Sequence, residues 1–285
     1  MAHITAMEKG WWQEDLAPYG IVTVTDYVFP SGPPEMQAMI AGELDIAYTG
    51  SAPLLSALTT GLDAKIVAAV QTQGSDLVLR NDIPYSGPQD LKGLRIATFP
   101  PGSIQDTLLR DWLLRNGLDP ETDVTILAMG PGDAVTAINA GQVDGVFLPH
   151  PAPTTIAMAG KGRTVVQSGE INPNHACCVL AVRGDLIREN PEIVEQIVRT
   201  HIKATEYNKN HLEEAAMLYA NKTGAKFEEI NLSLLEWDGT WIADPNVIVD
   251  SVVDYARIQY ELGFIKQPLT KEEIFDLTFY DRVTR

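Results

Sequence analysis

Cysteine, basic charge and long apolar runs are all scarce in this 285-residue chain. Its two cysteines, Cys177 and Cys178, are neighbours. Successive side chains of a strand point to opposite faces, so the pair does not readily bridge and no disulfide framework exists. No stretch approaches the roughly 18 consecutive apolar residues of a membrane-spanning helix. Lysine and arginine number 21 against 38 acidic residues, a formal net charge of −17. Nucleic acid and anionic lipid both select for basic stripes, so neither is an expected partner. A small anion would gain nothing from long-range steering, and a site for one must be local, built from backbone N–H groups and hydroxyls. No Ser-His-Asp, Cys-His, paired-carboxylate or Walker pattern can be assembled, which argues against an enzyme. No cofactor or metal is expected. His175, Cys177 and Cys178 in "NHACCV" are ligand types, but zinc would need a fourth ligand, and small cysteines in a buried strand are the simpler reading.

What is present is a repeat. Slid by 99 residues, "PEMQAMIAG" (34–42) falls on "DAVTAINAG" (133–141), with Ala38, Gly42 and Asp45 on Ala137, Gly141 and Asp144. Each copy opens at a Gly/Pro turn, runs through a helix closed by glycine, and continues into an apolar strand, "LDIAY" or "VDGVFL". Upstream, "IVTVTDYVF" (21–29) and "DVTILAM" (123–129) read as strands that follow helices ending at Gly10 and Gly117. Helix–strand–helix–strand, twice, is the grammar of an α/β fold. The second copy is preceded by a strand, "GLRIATF" (93–99), that the first lacks. The expectation is that a leading strand, and with it any signal peptide or lipid-anchor cysteine, lies upstream of Met1.

Strands at 65–72 and 75–82 lead into the polar stretch "NDIPYSGPQDLKG", and "ACCVLAVR" (176–183) leads back. From Asp185 the spacing of apolar residues is helical. The chain is expected to form two lobes joined by two hinge strands, near 78–82 and 177–183. Lobe one would hold 1–80 plus 181–285, and lobe two 81–180. The carboxyl ends of their strands would face a shared cleft, where open α/β sheets bind ligands.

The loops before the helices carry the candidate chemistry. In "TGSAPLL", Gly50 permits close approach, Ser51 suits a helix cap and Pro53 the first turn. "PPGSIQDTLL" repeats the arrangement at Gly102 and Ser103, and "SGPP" at Ser31 and Gly32. A helix N-terminus offers unpaired N–H groups and partial positive charge, so it holds an anion without lysine or arginine. Ordinary helix capping would produce the same residues. His150 in "PHPAP" stands one repeat after Ser51, able to bond a ligand or to cap its turn. Asp133, Tyr48 and Trp241 are further candidates for the remainder of a ligand. Trp237 and Trp241, four apart, would share a face if helical.

"AMEKGWW", "SGPPEMQAMIAGELDIAYTGSAPLL", "DLKGLRIATFPPGSIQDTLLRDWLLRNGLDPETDV" and "AINAGQVDGVFLPHPAP" together resemble the nitrate/sulfonate/taurine branch of ABC-importer solute-binding proteins. The resemblance implies a type II periplasmic-binding-protein clamshell, closing on a small organic anion and delivering it to a membrane permease. It implies a periplasmic or extracellular monomer, free or lipid-anchored, with the acidic group of the ligand at Ser31-Gly32, Gly50-Ser51 and Gly102-Ser103. Pro149-His150 stands where that branch often has a tryptophan, which leaves the ligand open. A binder of a pyrimidine vitamin precursor and an enzyme on the same fold are the alternatives.

Overall fold

Two sheets organise the chain, whose 285 residues are all described by a computed structural model. Strands β1 (Ile46–Gly50), β2 (Ala64–Thr72), β8 (Ala176–Arg183) and β9 (Thr240–Trp241) form one, in the order β1-β8-β2-β9. Strands β3 (Ser75–Arg80), β4 (Arg95–Thr98), β5 (Thr125–Ala128), β6 (Gly145–Pro149) and β7 (Gly162–Gln167) form the other, in the order β5-β4-β6-β3-β7. The chain opens with two short helices, α1 (Ala2–Glu8) and α2 (Trp11–Leu16), and Trp12 anchors the second in the core.

The repeat read in the sequence is a repeat in space. Helix α3 (Gly32–Ile40) leads to β1 and then α4 (Ser51–Thr59). After α5 (Ile104–Arg115), helix α6 (Pro131–Asn139) leads to β6 and α7 (Ala152–Met158). The register agrees, since β8 lies antiparallel to β1 as β3 lies antiparallel to β6. On its far side β6 has β4 in parallel, whereas the matching edge of β1 carries no strand. That difference explains why residues 21–29, expected as a strand, form none and leave Val22, Tyr27 and Val28 exposed. Their counterpart becomes β5 because β4 pairs with it. Residues 21–29 pair with none of the nine strands, because a counterpart of β4, which stands between β5 and β6, is not among them, and an unpaired strand leaves its ladder of N–H and C=O groups unmet.

The chain changes sheet between Thr72 and Ser75 and returns between Gln167 and Ala176. Both turns use left-handed backbone, with φ of 53° at Gln73, 91° at Gly74 and 58° at Asn174. Strand β3 therefore lies wholly in the second sheet and β8 wholly in the first. The expected boundaries after 80 and 180 lie about five residues downstream of these turns. Apolar runs mark strands but not the sheet each strand joins. Asp238 ties the two turns together: its carboxylate accepts N–H bonds from Gly74 (2.8 Å) and Gly169 (2.6 Å). Gly169 lies in the short helix α8 (Ser168–Ile171).

The C-terminal third is helical, with α9 (Gly184–Glu189), α10 (Pro191–Asn210), α11 (Leu212–Thr223), α12 (Phe227–Glu236) and α13 (Val249–Glu261). Along α10, Ile193, Val194, Ile197 and Val198 recur at helical spacing and pack on Val67, Ala68, Leu180 and Val182 of the first sheet. Full burial of each such side chain stabilises by about 1.5–3 kcal/mol. Helix α13 buries Val252, Tyr255 and Ala256 in the main core, together with Leu54 and Leu55 of α4 and Leu108 and Leu109 of α5.

Candidate ligand cleft

A cavity of about 370 Å³ opens between the two sheets, within the range of small-molecule sites. Neither lysine nor arginine lines it. Instead three helices begin there. Ser31 and Gly32 open α3, Gly50 precedes α4, and Ser103 and Ile104 open α5. The first turns of these helices have no intrahelical carbonyls to bond. Pro33, Pro34 and Pro53 carry no N–H, so the free donors are the amides of Gly32, Ser51, Ala52, Ile104 and Gln105.

Local chemistry holds those ends in place. Gly32 abuts α4 so closely that an added β-carbon would stand 2.4 Å from Cγ of Pro53, and only glycine lets the two helix starts meet. The Ser31 hydroxyl makes no capping bond, which leaves it free for a ligand. Ser103 caps α5, its Oγ accepting from the Asp106 N–H at 3.2 Å. Gly102, with φ of 82°, donates its N–H to the Asp106 carboxylate, and its carbonyl accepts from Gln259 Nε2.

Seven of the ten expected residues therefore line the cleft: Ser31, Gly32, Tyr48, Gly50, Ser103, His150 and Trp241. Three do not. The Ser51 hydroxyl is turned into the interior, fully buried without a partner, though its amide belongs to the α4 first turn. Gly102 has both backbone groups engaged in bracing its loop. Asp133 is exposed in the first turn of α6, where a carboxylate favours the positive helix end and needs no ligand.

Among those present, some side chains are already engaged. The His201 Nε2–H donates to the Ala69 carbonyl (2.7 Å), so Nδ1 accepts from the Tyr48 hydroxyl (3.0 Å). Tyr48 thus presents its ring rather than its hydroxyl. His150 Nε2 lies 3.3 Å from the buried Asp76 carboxylate, and its Nδ1 meets the Ser233 hydroxyl of α12 at 2.8 Å. This fastens α12 to the end of β6. Trp237 follows α12 and Trp241 sits in β9, so the pair is not helical, but the rings pack at 5.5 Å between centroids and both line the cleft.

The most consequential residue absent from the sequence-based expectation is Glu35. It lines the cleft in the first turn of α3 with no cationic partner. Burial pushes its carboxyl up to about 7, against a smaller opposing effect of the Thr49 hydroxyl. Gln71, Gln105, Phe29 and Phe99 also line the cavity. Gln105 donates to the Ser75 hydroxyl at 3.0 Å, linking α5 to the start of β3.

Cys177 and Cys178 line it too, against the alternation expected of a strand. The register explains why. Gln71 of β2 pairs with Cys178 and Thr72 with Ala176, which leaves Cys177 as an extra, bulged residue. A bulge re-aims side chains, and here the two sulfurs lie 3.6 Å apart.

A model of the NMT1-like family matches residues 1–220. The chain belongs to that family. A relative in Bacillus subtilis (strain 168), provisionally named as an aliphatic sulfonates-binding protein, is 29% identical over 97% of this chain and 82% of its own. The structure of the alkanesulfonate-binding protein SsuA from Xanthomonas axonopodis pv. citri, bound to MOPS, matches with a TM-score of 0.83 at 21% identity, over 96% of this chain and 94% of that one. The periplasmic nitrate-binding protein NrtA from Synechocystis PCC 6803 matches with a TM-score of 0.83 at 17% identity, over 99% and 84%. The two-lobed fold of those structures is the fold of this family member. The resemblance carried by "SGPPEMQAMIAGELDIAYTGSAPLL" agrees with these relatives, all of which are named as binding proteins. No helix in it is long and apolar enough to cross a membrane.

Proposed function

We propose that this family member is the extracytoplasmic binding component of an ABC importer and captures a small organic anion, an alkanesulfonate, taurine or a related acid. One observation carries the reading: three helix N-termini meet in a cleft that neither lysine nor arginine lines. Each terminus is equivalent to roughly half a positive charge, so three offset a monoanion with about 1.5. Ser31 and Ser103 hold the acidic group with the first-turn amides. Phe29, Phe99, Trp237 and Trp241 enclose the organic part. Relatives that bind sulfonates and nitrate support the class.

Ligand contacts both sheets at once, so it favours the closed arrangement, with the turns at 73–74 and 168–175 as the pivot. The closed protein then docks as a monomer on its permease. The test is thermal unfolding against alkanesulfonates, taurine, nitrate, bicarbonate, carboxylates and hydroxymethylpyrimidine. At about 100 times its dissociation constant a ligand adds roughly 2.7 kcal/mol, a rise of a few degrees. A rise with a sulfonate or related acid supports the reading. A rise with hydroxymethylpyrimidine alone transfers the site to a neutral, ring-stacked ligand.

A further inference from the structure

We propose that Cys177 and Cys178 form a reversible dithiol–disulfide pair in the cleft wall, a site at which small disulfides oxidise the protein and which a bound ligand covers. Neighbouring strand residues ordinarily diverge, and these two converge only because Cys177 is the extra residue of a bulge against β2. Their sulfurs stand 3.6 Å apart, in contact and short of a bond. Both line the ligand cavity, so a reagent that enters the cleft reaches them. On the other side of β8, Cys178 pairs with Gly50 of β1, the residue that opens α4. Glycine has no side chain to cover the neighbouring sulfur, and the pair therefore borders the proposed anion pole.

The two thiols are not equivalent. Cys177 is almost fully buried, whereas Cys178 is half-buried. Either thiol can donate across the contact, and in both directions it is Cys178 that the cleft exposes to an incoming reagent. Cys178 is thus the attacking sulfur and Cys177 the resolving one. The Cys178 thiolate attacks one sulfur of glutathione disulfide, forming a mixed disulfide and releasing one glutathione thiolate. Cys177, losing its proton, then attacks the Cys178 sulfur and expels the second glutathione. Two protein thiols and one disulfide become one vicinal disulfide and two glutathione thiols, with both protons on the products.

Neighbouring Cα atoms are about 3.8 Å apart across a trans peptide, below the usual 4.4–6.8 Å span of a disulfide. The bridge is accordingly strained and reversible under mild reductant, as labile rather than structural disulfides are. The pair does not depend on which anion the cleft holds.

The experiment exposes the native full chain to glutathione disulfide and follows intact mass, with native iodoacetamide labelling as a second readout. Wild type is expected to lose two hydrogens, to retain no glutathione and to lose both labelling sites, all restored by dithiothreitol. Cys177→Ser should hold one glutathione on Cys178, because nothing expels it, while Cys178→Ser stays largely unmodified. Calorimetrically saturating ethanesulfonate should slow the wild-type reaction in proportion to occupancy. A stable glutathione adduct on wild type, or reaction only in denaturant, overturns the proposal; the wild-type arm needs no variant to fold. Ethanesulfonate that binds without slowing the reaction overturns the placement in the ligand's path. Ethanesulfonate that fails to bind counts against the sulfonate reading, and the mass change still decides the dithiol.

Discussion

Replacing Glu35 with glutamine isolates one ionisation whose size follows from burial. The carboxyl stands in the cleft wall without a cation, and its pKa rises from 4.5 to about 7. Between those values the unfolded chain has released the proton and the folded chain still holds it. The native state therefore binds more protons in that window, and stability falls as pH rises through it, levelling off above about 7. Below about 4.5 both states are protonated and the group contributes nothing to the difference. An interval of about 2.5 units at 1.36 kcal/mol each sets a ceiling of about 3.4 kcal/mol. Glu35 is partly open to solvent, and screening brings the expected figure to about 2 kcal/mol. Glutamine keeps the shape and never ionises. Glu35→Gln should thus melt with wild type near pH 4 and exceed it at about pH 8 by roughly 3 °C. Calorimetric melts of both proteins at the two pH values measure this directly. An equal difference at both would refute the reasoning, because the carboxyl would then titrate alike in both states.

Gly32→Ala drives a β-carbon to 2.4 Å from Pro53 and forces α3 and α4 apart. A cost of about 1–3 kcal/mol is expected with a disproportionate loss of anion binding, read by melting and calorimetry on one sample. Asp238→Ala leaves the Gly74 and Gly169 amides without their acceptor. About 3 kcal/mol should be lost, and hydrogen exchange at those two amides should accelerate ahead of the strands. His201 is held neutral by burial, its pKa lowered from 6.5 to about 4. The unfolded chain takes up this proton first as pH falls, so stability is lost from about pH 6.5 toward 4, by up to about 3 kcal/mol. His201→Gln should flatten that slope in urea midpoints taken at about pH 7 and pH 5.

The sequence was most legible where structure is local. Serine before an apolar segment, proline in a first turn and glycine after a last one placed the starts of α3, α4 and α5 almost to the residue. The 99-residue offset located α6 and β6 because sterically similar neighbours recur in both halves. What depended on partners was not legible. Residues 21–29 have strand composition, yet the strand that would link them to β1, as β4 links β5 to β6, is not among the nine. The alternation rule separated Cys177 from Cys178, and only the pairing of β8 with β2 creates the bulge that reunites them. Side-chain direction was equally hidden, which is why the Ser51 hydroxyl and Asp133 read as cleft residues and Glu35 did not.

These failures share a cause that bears on how the cleft works. The attraction for an anion proposed for it resides in backbone dipoles, and the backbone is the same in every sequence. A chain of net charge −17 repels anions at a distance, and exposed charges are largely screened beyond about 8 Å at physiological salt. On the proposed reading, recognition begins only where an anion meets the first-turn amides of α3, α4 and α5. Such donors have fixed directions, unlike a lysine on a flexible stem, so they reward an acidic group of the right shape over one of merely the right charge. Glu35, mostly protonated below about pH 7, adds no negative charge to oppose that attraction. Above it, the same carboxylate works against the three helix ends, so on that reading capture of an anion is expected to weaken as the medium turns alkaline.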